Sequence, residues 1–259
     1  MSVGPVVFIG MESSGALRER FQRRGFFTVS CDLLEAEDGS RYPEVLHGRE
    51  LGGHVVGDVF ECLEWLRSIN RWPDLAVFHP TCTYMTGSAE WAYKDPDYVR
   101  YPGVGYHQRL KEGTLFGADR RAAREDAVAE VVRIQHLPIR RKVVENPVGV
   151  LSTRIRRPSQ IFQPYEHGDD ASKKTCCWYF DEQGDEAEDM RVPVDPDQRV
   201  PGRVVNGRER WANQTDSGQN KLGAGTPDRW RERSRTYPGI ADAWADAWSK
   251  LLDASHQHR

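Results

Sequence analysis

An α/β fold with a mostly parallel, twisted sheet and helices on both faces is what this chain of 259 residues predicts. Three observations carry that expectation. Short apolar runs of strand length alternate with amphipathic stretches of helical period, the pattern of parallel βαβ units. The runs end in turns of small or polar residues. Two of those turns carry a reactive side chain: Cys82 follows Leu75-Ala76-Val77-Phe78, and Glu145 follows Val143-Val144. Ligands of open α/β sheets bind outside the carboxyl ends of the strands. A thiol and a carboxylate delivered there suit a nucleophile and a general acid facing one substrate.

Val6–Gly10 reads as the first buried strand. Ser13-Ser14-Gly15 then leads into a helix through Leu17 and Phe21, which Gly25 closes. Phe27–Cys31 is the second strand, with Asp32 at its end, and His54–Val59 a short third. The helix after it has Phe60, Leu63 and Leu66 on its apolar face and Trp65 at its flank. Residues 83–117 are rich in Gly, Tyr, Pro and Lys and show little periodicity, so they read as a long surface loop. Loops of this length are commonly lids or binding loops, and Trp91, Tyr93, Lys94 and Arg100 are the side chains expected over a substrate. Helical period returns over Ala118–Gln135, with Ala122, Ala127, Val128 and Val131 on one face, before the Val143-Val144 strand. A strand pair around Gly168 is expected between Gln160 and Phe180. Residues 181–226 turn acidic and then Pro-, Gly- and Asn-rich, which suits a small insert or a partly disordered one. Ile240–Trp248 is an amphipathic helix after a Tyr-Pro-Gly turn. The domain reading is a core over 1–180, a short insert over 181–226 and a returning C-terminal segment over 227–259.

Composition narrows the class. Charged residues make up 29% of the chain and mean hydropathy is -0.69. No apolar run approaches the roughly 20 residues that span a bilayer, and no signal-peptide pattern opens the chain, so no membrane partner and a cytoplasmic setting are expected. Five scattered cysteines fit free thiols better than a disulfide framework. Neither they nor the histidines have zinc spacing, so no metal is expected. The formal net charge of -3 weighs against a broad non-specific grip on nucleic acid. No obligate protein partner is evident.

The first strand, turn and helix suit a nucleotide-like ligand, whose ribose hydroxyls an acid such as Asp32 can bind. The turn is not the dinucleotide fingerprint, because Glu12 stands where a glycine would be. Glu145, at a partly desolvated strand end, is expected to have a raised pKa.

In order along the chain, Phe8-Ile9-Gly10-Met11-Glu12-Ser13-Ser14-Gly15, Asp32-Leu33, Gly57-Asp58-Val59, Pro80-Thr81-Cys82, Glu145-Asn146, Lys173-Lys174-Thr175 and Arg233–Ala241 form a series of motifs. The series resembles the DNA cytosine 5-methyltransferases, and more closely the compact DNA methylase-like proteins of bacteriophages. Thr81 stands where the family has a second proline, and the family's Gln-x-Arg-x-Arg motif is absent. The resemblance implies a Rossmann-like fold that binds S-adenosyl-L-methionine. It implies cofactor contacts from Phe8, Gly10, Glu12, Ser14, Gly15, Asp32, Leu33, Asp58, Val59, Pro80 and Tyr237. It also implies a covalent mechanism: Cys82 adds to carbon 6 of a flipped cytosine, and Glu145, held by Asn146, assists at ring N3. Lys173 or Lys174 would lower the thiol pKa. The implied partner is DNA, duplex or single-stranded. A free cytosine nucleotide, RNA, an idle anti-restriction decoy and a redox pair at Cys176-Cys177 are the rivals.

Overall fold

The computed structural model describes residues 4–87, 89–97, 99, 113–222 and 229–257. Short apolar runs mark the first three parallel strands, β1 (Val6–Gly10), β2 (Phe27–Asp32) and β4 (Arg49–Val56). β3 (Glu44–Leu46) pairs antiparallel with β4 at the sheet edge. The apolar pattern does not predict that hairpin, because its first strand is three residues long and leaves Val45 and Leu46 exposed; the third strand starts earlier than expected, at Arg49. β5 (Leu75–Phe78) and β6 (Arg141–Pro147) extend the parallel set on the far side of β1. β8 (Thr175–Asp181) and β7 (Gln160–Phe162), antiparallel to each other, complete an eight-stranded sheet of order β3-β4-β2-β1-β5-β6-β8-β7. The chain leaves β1 toward β2 and β4 and later returns to the other side at β5. The strand order therefore reverses between β1 and β5, where an open α/β sheet has its ligand crevice.

Successive strand residues face opposite ways, and each face is covered. Val6, Phe8, Val29, Ala76, Phe78 and Val144 pack beneath α2 (Val59–Ser68) and α3 (Gly117–Gln135). Val7, Ile9, Val77, Val143, Cys177 and Tyr179 pack beneath α1 (Ala16–Arg23) and the long C-terminal helix α6 (Pro238–Gln257). Helices on both faces of a mostly parallel sheet are what the sequence predicts. The apolar faces of α2 and α3 also follow expectation, except that Ala122 is exposed.

The Tyr-Pro-Gly turn places Pro238 at the first position of α6, where its missing N–H is not needed. Gly239 sits so close to the chain that an added Cβ would lie 1.7 Å from the His167 carbonyl oxygen. Trp244 and Trp248 stack at 5.3 Å, and the Trp248 indole N–H donates to the Met190 carbonyl at 2.9 Å. Residues 181–222 join the same core through Ala187, Met190 and Val192, and add a small hairpin of β9 (Arg203–Val205) and β10 (Arg208–Arg210). Two short helices complete the description, α4 (Leu151–Arg154) and α5 (Arg229–Ser234).

Trp248→Ala is expected to cost about 3–5 kcal/mol, since it empties a fully buried indole site and orphans a carbonyl. A lower denaturation midpoint at unchanged slope is the check. A midpoint within error of the parent would mean that α6 is not part of the cooperative core.

Candidate active site

The fold brings Cys82 and Glu145 together at the C-terminal edge of the sheet, beside the switch point. β5 ends at Phe78, and His79-Pro80-Thr81 swings into a single 3-10 turn, Cys82–Tyr84. Glu145 and Asn146 do not follow their strand as expected. They lie within β6, because the ladder to β8 continues through them, opposite Cys177 and Cys176. Both are almost fully buried, whereas Cys82 is the exposed one of the five free cysteines.

Two links join the two strand ends, and a third ties the turn to β1. The Asn146 side-chain amide donates to the Pro80 carbonyl at 2.8 Å. Asn146 therefore holds the Cys82 turn, not Glu145 as expected. Glu145 is held instead by His79, whose Nδ1 lies 3.2 Å from Oε2. The His79 backbone N–H donates to the Gly10 carbonyl at 3.0 Å, tying the turn to the end of β1. Sequence reasoning misses His79; its place beside Pro80 in the same turn is the available signal. The Oδ1 of Asn146 and the Nε2 of His79 are buried without a hydrogen-bond partner.

The electrostatics reverse one expectation, the raised Glu145, and bear out another in part, because Lys173 does lower the Cys82 thiol but is outweighed. Burial pushes the Glu145 carboxyl up, but the hydrogen bond from His79 and the charge of Lys173 outweigh it and hold it below the usual carboxylate range. Burial and then the charge of Glu145 push the Cys82 thiol up, and Lys173 and Arg233 only partly offset them. Lys173 thus acts on both reactive groups, though burial lowers its own pKa, and its Nζ donates to the Arg235 carbonyl at 3.1 Å. Lys174 points away: it is exposed, and the charge it contributes falls on Cys176. At rest the site therefore holds a carboxylate anion and a neutral thiol.

The thiol turn is gripped from behind. Arg124 Nε donates to the Tyr84 carbonyl at 2.9 Å, as does the Tyr93 hydroxyl at 2.7 Å. The Arg124 guanidinium lies 3.4 Å from the centre of the Tyr93 ring, and that of buried Arg120 lies 4.8 Å from it. Tyr93 is buried, so it is an anchor rather than the lid side chain expected. Lys94 is exposed and Trp91 half-buried, while Arg100 lies outside the described residues.

The expected cofactor residues divide. Glu12 is buried; its Oε1 accepts from Ser14 and from the Ala16 N–H, the latter at 3.2 Å, so it caps α1. The chain's own carboxylate thus fills the place where a helix N-terminus would otherwise receive a phosphate. The second oxygen of Glu12 is buried without a partner. Gly15 has a left-handed φ of 75°, and a Cβ there would collide with Asp38 and Arg18. Buried Arg18 donates to Ser30 at 2.8 Å and also to Asp38, bracing the loop after β2. Asp32 accepts from the Leu34 N–H at 2.9 Å, and Asp58 caps α2 through Phe60 and Glu61. Beside these carboxylates, Leu33 is 77% and Val56 55% exposed, leaving bare aliphatic surface next to two acids.

Phe8 and Val59 are corrections, because both side chains are sealed in the core, Phe8 against Phe78. Pro80 is also buried and contributes its carbonyl to Asn146. The Tyr237 hydroxyl pairs with Asn213 at 3.4 Å. The C-terminal segment does return across the site: Arg231 and Arg235 both pair with Glu37 in the loop after β2.

Cys176 and Cys177 are adjacent in β8 and face opposite cores, so their thiols cannot meet. Burial raises both, Cys176 to about 11. A cavity of about 480 Å³ lies on the β2–β4 side, lined by Tyr42, His54, Val56 and Trp65 among others; it shares Val56 with the surface beside Asp58 and includes neither Cys82 nor Glu145. Among the described residues, no cluster of His, Cys, Asp and Glu could hold a metal ion, and no helix is long and apolar enough to cross a membrane. No protein-family description and no curated protein matches the chain.

Proposed function

We propose that the protein is an S-adenosyl-L-methionine-dependent methyltransferase acting on carbon 5 of cytosine in DNA, through a covalent adduct at Cys82. The observation that carries this reading is the pairing of one exposed thiol with one buried, charged carboxylate at the sheet's switch point, with Lys173 acting on both. Carbon 5 of cytosine is a weak nucleophile. Adding the Cys82 sulfur to carbon 6 moves the ring electrons toward N3 and makes carbon 5 an enamine carbon. Glu145 assists at N3, where negative charge would otherwise build. Carbon 5 then takes the methyl group from the sulfonium, a base removes the carbon 5 proton, and Cys82 is expelled.

The cofactor side supports the same reading. Asp32 and Asp58 suit ribose hydroxyls and an amino group, and the bare surfaces of Leu33 and Val56 suit a purine ring. Glu12 at the start of α1 disfavours a pyrophosphate and favours a cationic ligand. S-adenosyl-L-methionine meets both demands, with an adenosine at one end and a sulfonium and ammonium at the other. When bound, it supplies the methyl group.

The test is incubation with labelled S-adenosyl-L-methionine and duplex DNA, single-stranded DNA, RNA or dCMP, then digestion and identification of the modified base. Label in 5-methylcytosine from DNA supports the reading. Label only in dCMP or RNA moves the reaction to that substrate; a net charge of -3 suits dCMP, which needs no broad basic surface to hold it. No label from any substrate overturns the reading. A binding decoy has no need of an aligned thiol and carboxylate.

Asp32→Ala is expected to weaken S-adenosyl-L-methionine binding about tenfold to a hundredfold, the worth of a hydrogen bond to a charged group. Titration calorimetry reads this directly, and an unchanged dissociation constant rejects the assigned pocket.

A further inference from the structure

Glu145 has a partner that the sequence motifs do not assign. His79 Nδ1 lies 3.2 Å from Glu145 Oε2, and the two side chains are only 9% and 11% exposed. Both ends of the contact are fixed in the sheet. The His79 backbone N–H is bonded to Gly10 in β1, and Glu145 lies within the β6–β8 ladder. Beside a carboxylate, Nδ1 is the nitrogen that carries the hydrogen. Nε2 is buried without a hydrogen-bond partner, so the contact that orients the ring is the one Nδ1 makes to Glu145.

The other charged groups around the pair do a different job. Lys173, on the stretch before β8, contributes charge to Glu145, but its Nζ is bonded to the Arg235 carbonyl. Arg233 acts on Cys82 and Lys173. The thiols of Cys82, Cys176 and Cys177 feel Glu145 and are raised by it. Charge comes from Lys173; direction comes from His79.

We propose that His79 is a positioning residue for Glu145: its Nδ1–H holds one carboxylate oxygen, so that the other faces the ring nitrogen of the substrate base. The proposal rests on the methyltransferase reading for the identity of that base, while the His79–Glu145 pair itself can be tested without it. Asparagine places a side-chain N–H close to Nδ1, and glutamine places one close to Nε2. His79→Ala is expected to lower kcat for DNA methylation about ten- to a hundredfold with KM changed less than about threefold. His79→Asn recovers to within about fivefold of the parent, and His79→Gln does not recover.

The second measurement needs no substrate. With ¹³C-labelled glutamate carboxyls, the Glu145 resonance, assigned by Glu145→Gln, titrates at higher pH in His79→Ala, because a donor to the charged form has been removed. In His79→Asn it stays near the parent. An unchanged Glu145 titration in His79→Ala overturns the proposal, as do equal rates in the Asn and Gln variants. If the alanine variant does not fold, the Asn–Gln contrast decides. If no substrate is methylated, the functional reading fails while the titration still decides the pair.

Discussion

Cys82→Ala is expected to abolish methyl transfer, with a loss of at least about 10⁴-fold, the scale seen when a catalytic nucleophile is removed. The size follows from the chemistry. Without sulfur on carbon 6, carbon 5 stays part of an aromatic ring, and no rearrangement of Glu145 or Lys173 supplies the missing electron density. Cys82 is exposed at a turn that is held through the carbonyls of Pro80 and Tyr84. Loss of its sulfur should therefore leave the fold and S-adenosyl-L-methionine binding unchanged, checked by circular dichroism and calorimetry. Methylation at more than about a hundredth of the parent rate would end the covalent mechanism. The other four cysteines are buried, so brief alkylation of the parent protein should give a single adduct, at Cys82, that the variant lacks. Because the thiol lies above its ordinary range, alkylation should still be accelerating at the usual thiol pKa of about 8.5.

Glu145→Gln is expected to lower the methylation rate about 10²- to 10⁴-fold, the range for loss of an acid–base partner. The resting site holds a carboxylate and a thiol, whereas the addition step needs a thiolate and a hydrogen at N3. One proton must therefore leave sulfur and arrive at the base, and Glu145 can carry it where glutamine cannot. The same substitution has an opposite effect on the thiol. Glu145 raises Cys82; replacing the anion with an amide lowers the thiol pKa, and alkylation at pH 8 speeds up while methylation collapses. Methylation within about threefold of the parent removes Glu145 from the chemistry. Alkylation that slows would mean that the two groups do not share a field.

The frame of this fold was legible because its signals are local. β1, β2, β5 and β6 are apolar runs, and α6 announces itself with a Tyr-Pro-Gly turn followed by paired tryptophans. The β3 edge strand was not legible, since a three-residue strand whose Val45 and Leu46 are exposed exists only by pairing with β4. In the candidate site, Cys82 and Glu145 stood out as reactive side chains beside apolar runs. Their holders did not, because Asn146 to Pro80, His79 to Glu145 and Arg124 to Tyr84 are contacts between residues 40 to 66 apart in sequence. The Glu145 pKa direction failed for a related reason. Desolvation can be guessed from hydrophobic neighbours in sequence, but a histidine hydrogen bond and a lysine from another loop can outweigh it only once the fold has assembled them.

The clamp of Arg120, Arg124 and Tyr93 behind Cys82 divides labour along the chain. The turn that carries the thiol takes its position from α3, Tyr93 and β6 together. Each of these grips falls on a backbone carbonyl, that of Pro80, Thr83 or Tyr84, which every residue type carries. The exposed side chains of Thr81 and Thr83 can therefore be exchanged while the register of the thiol stays the same.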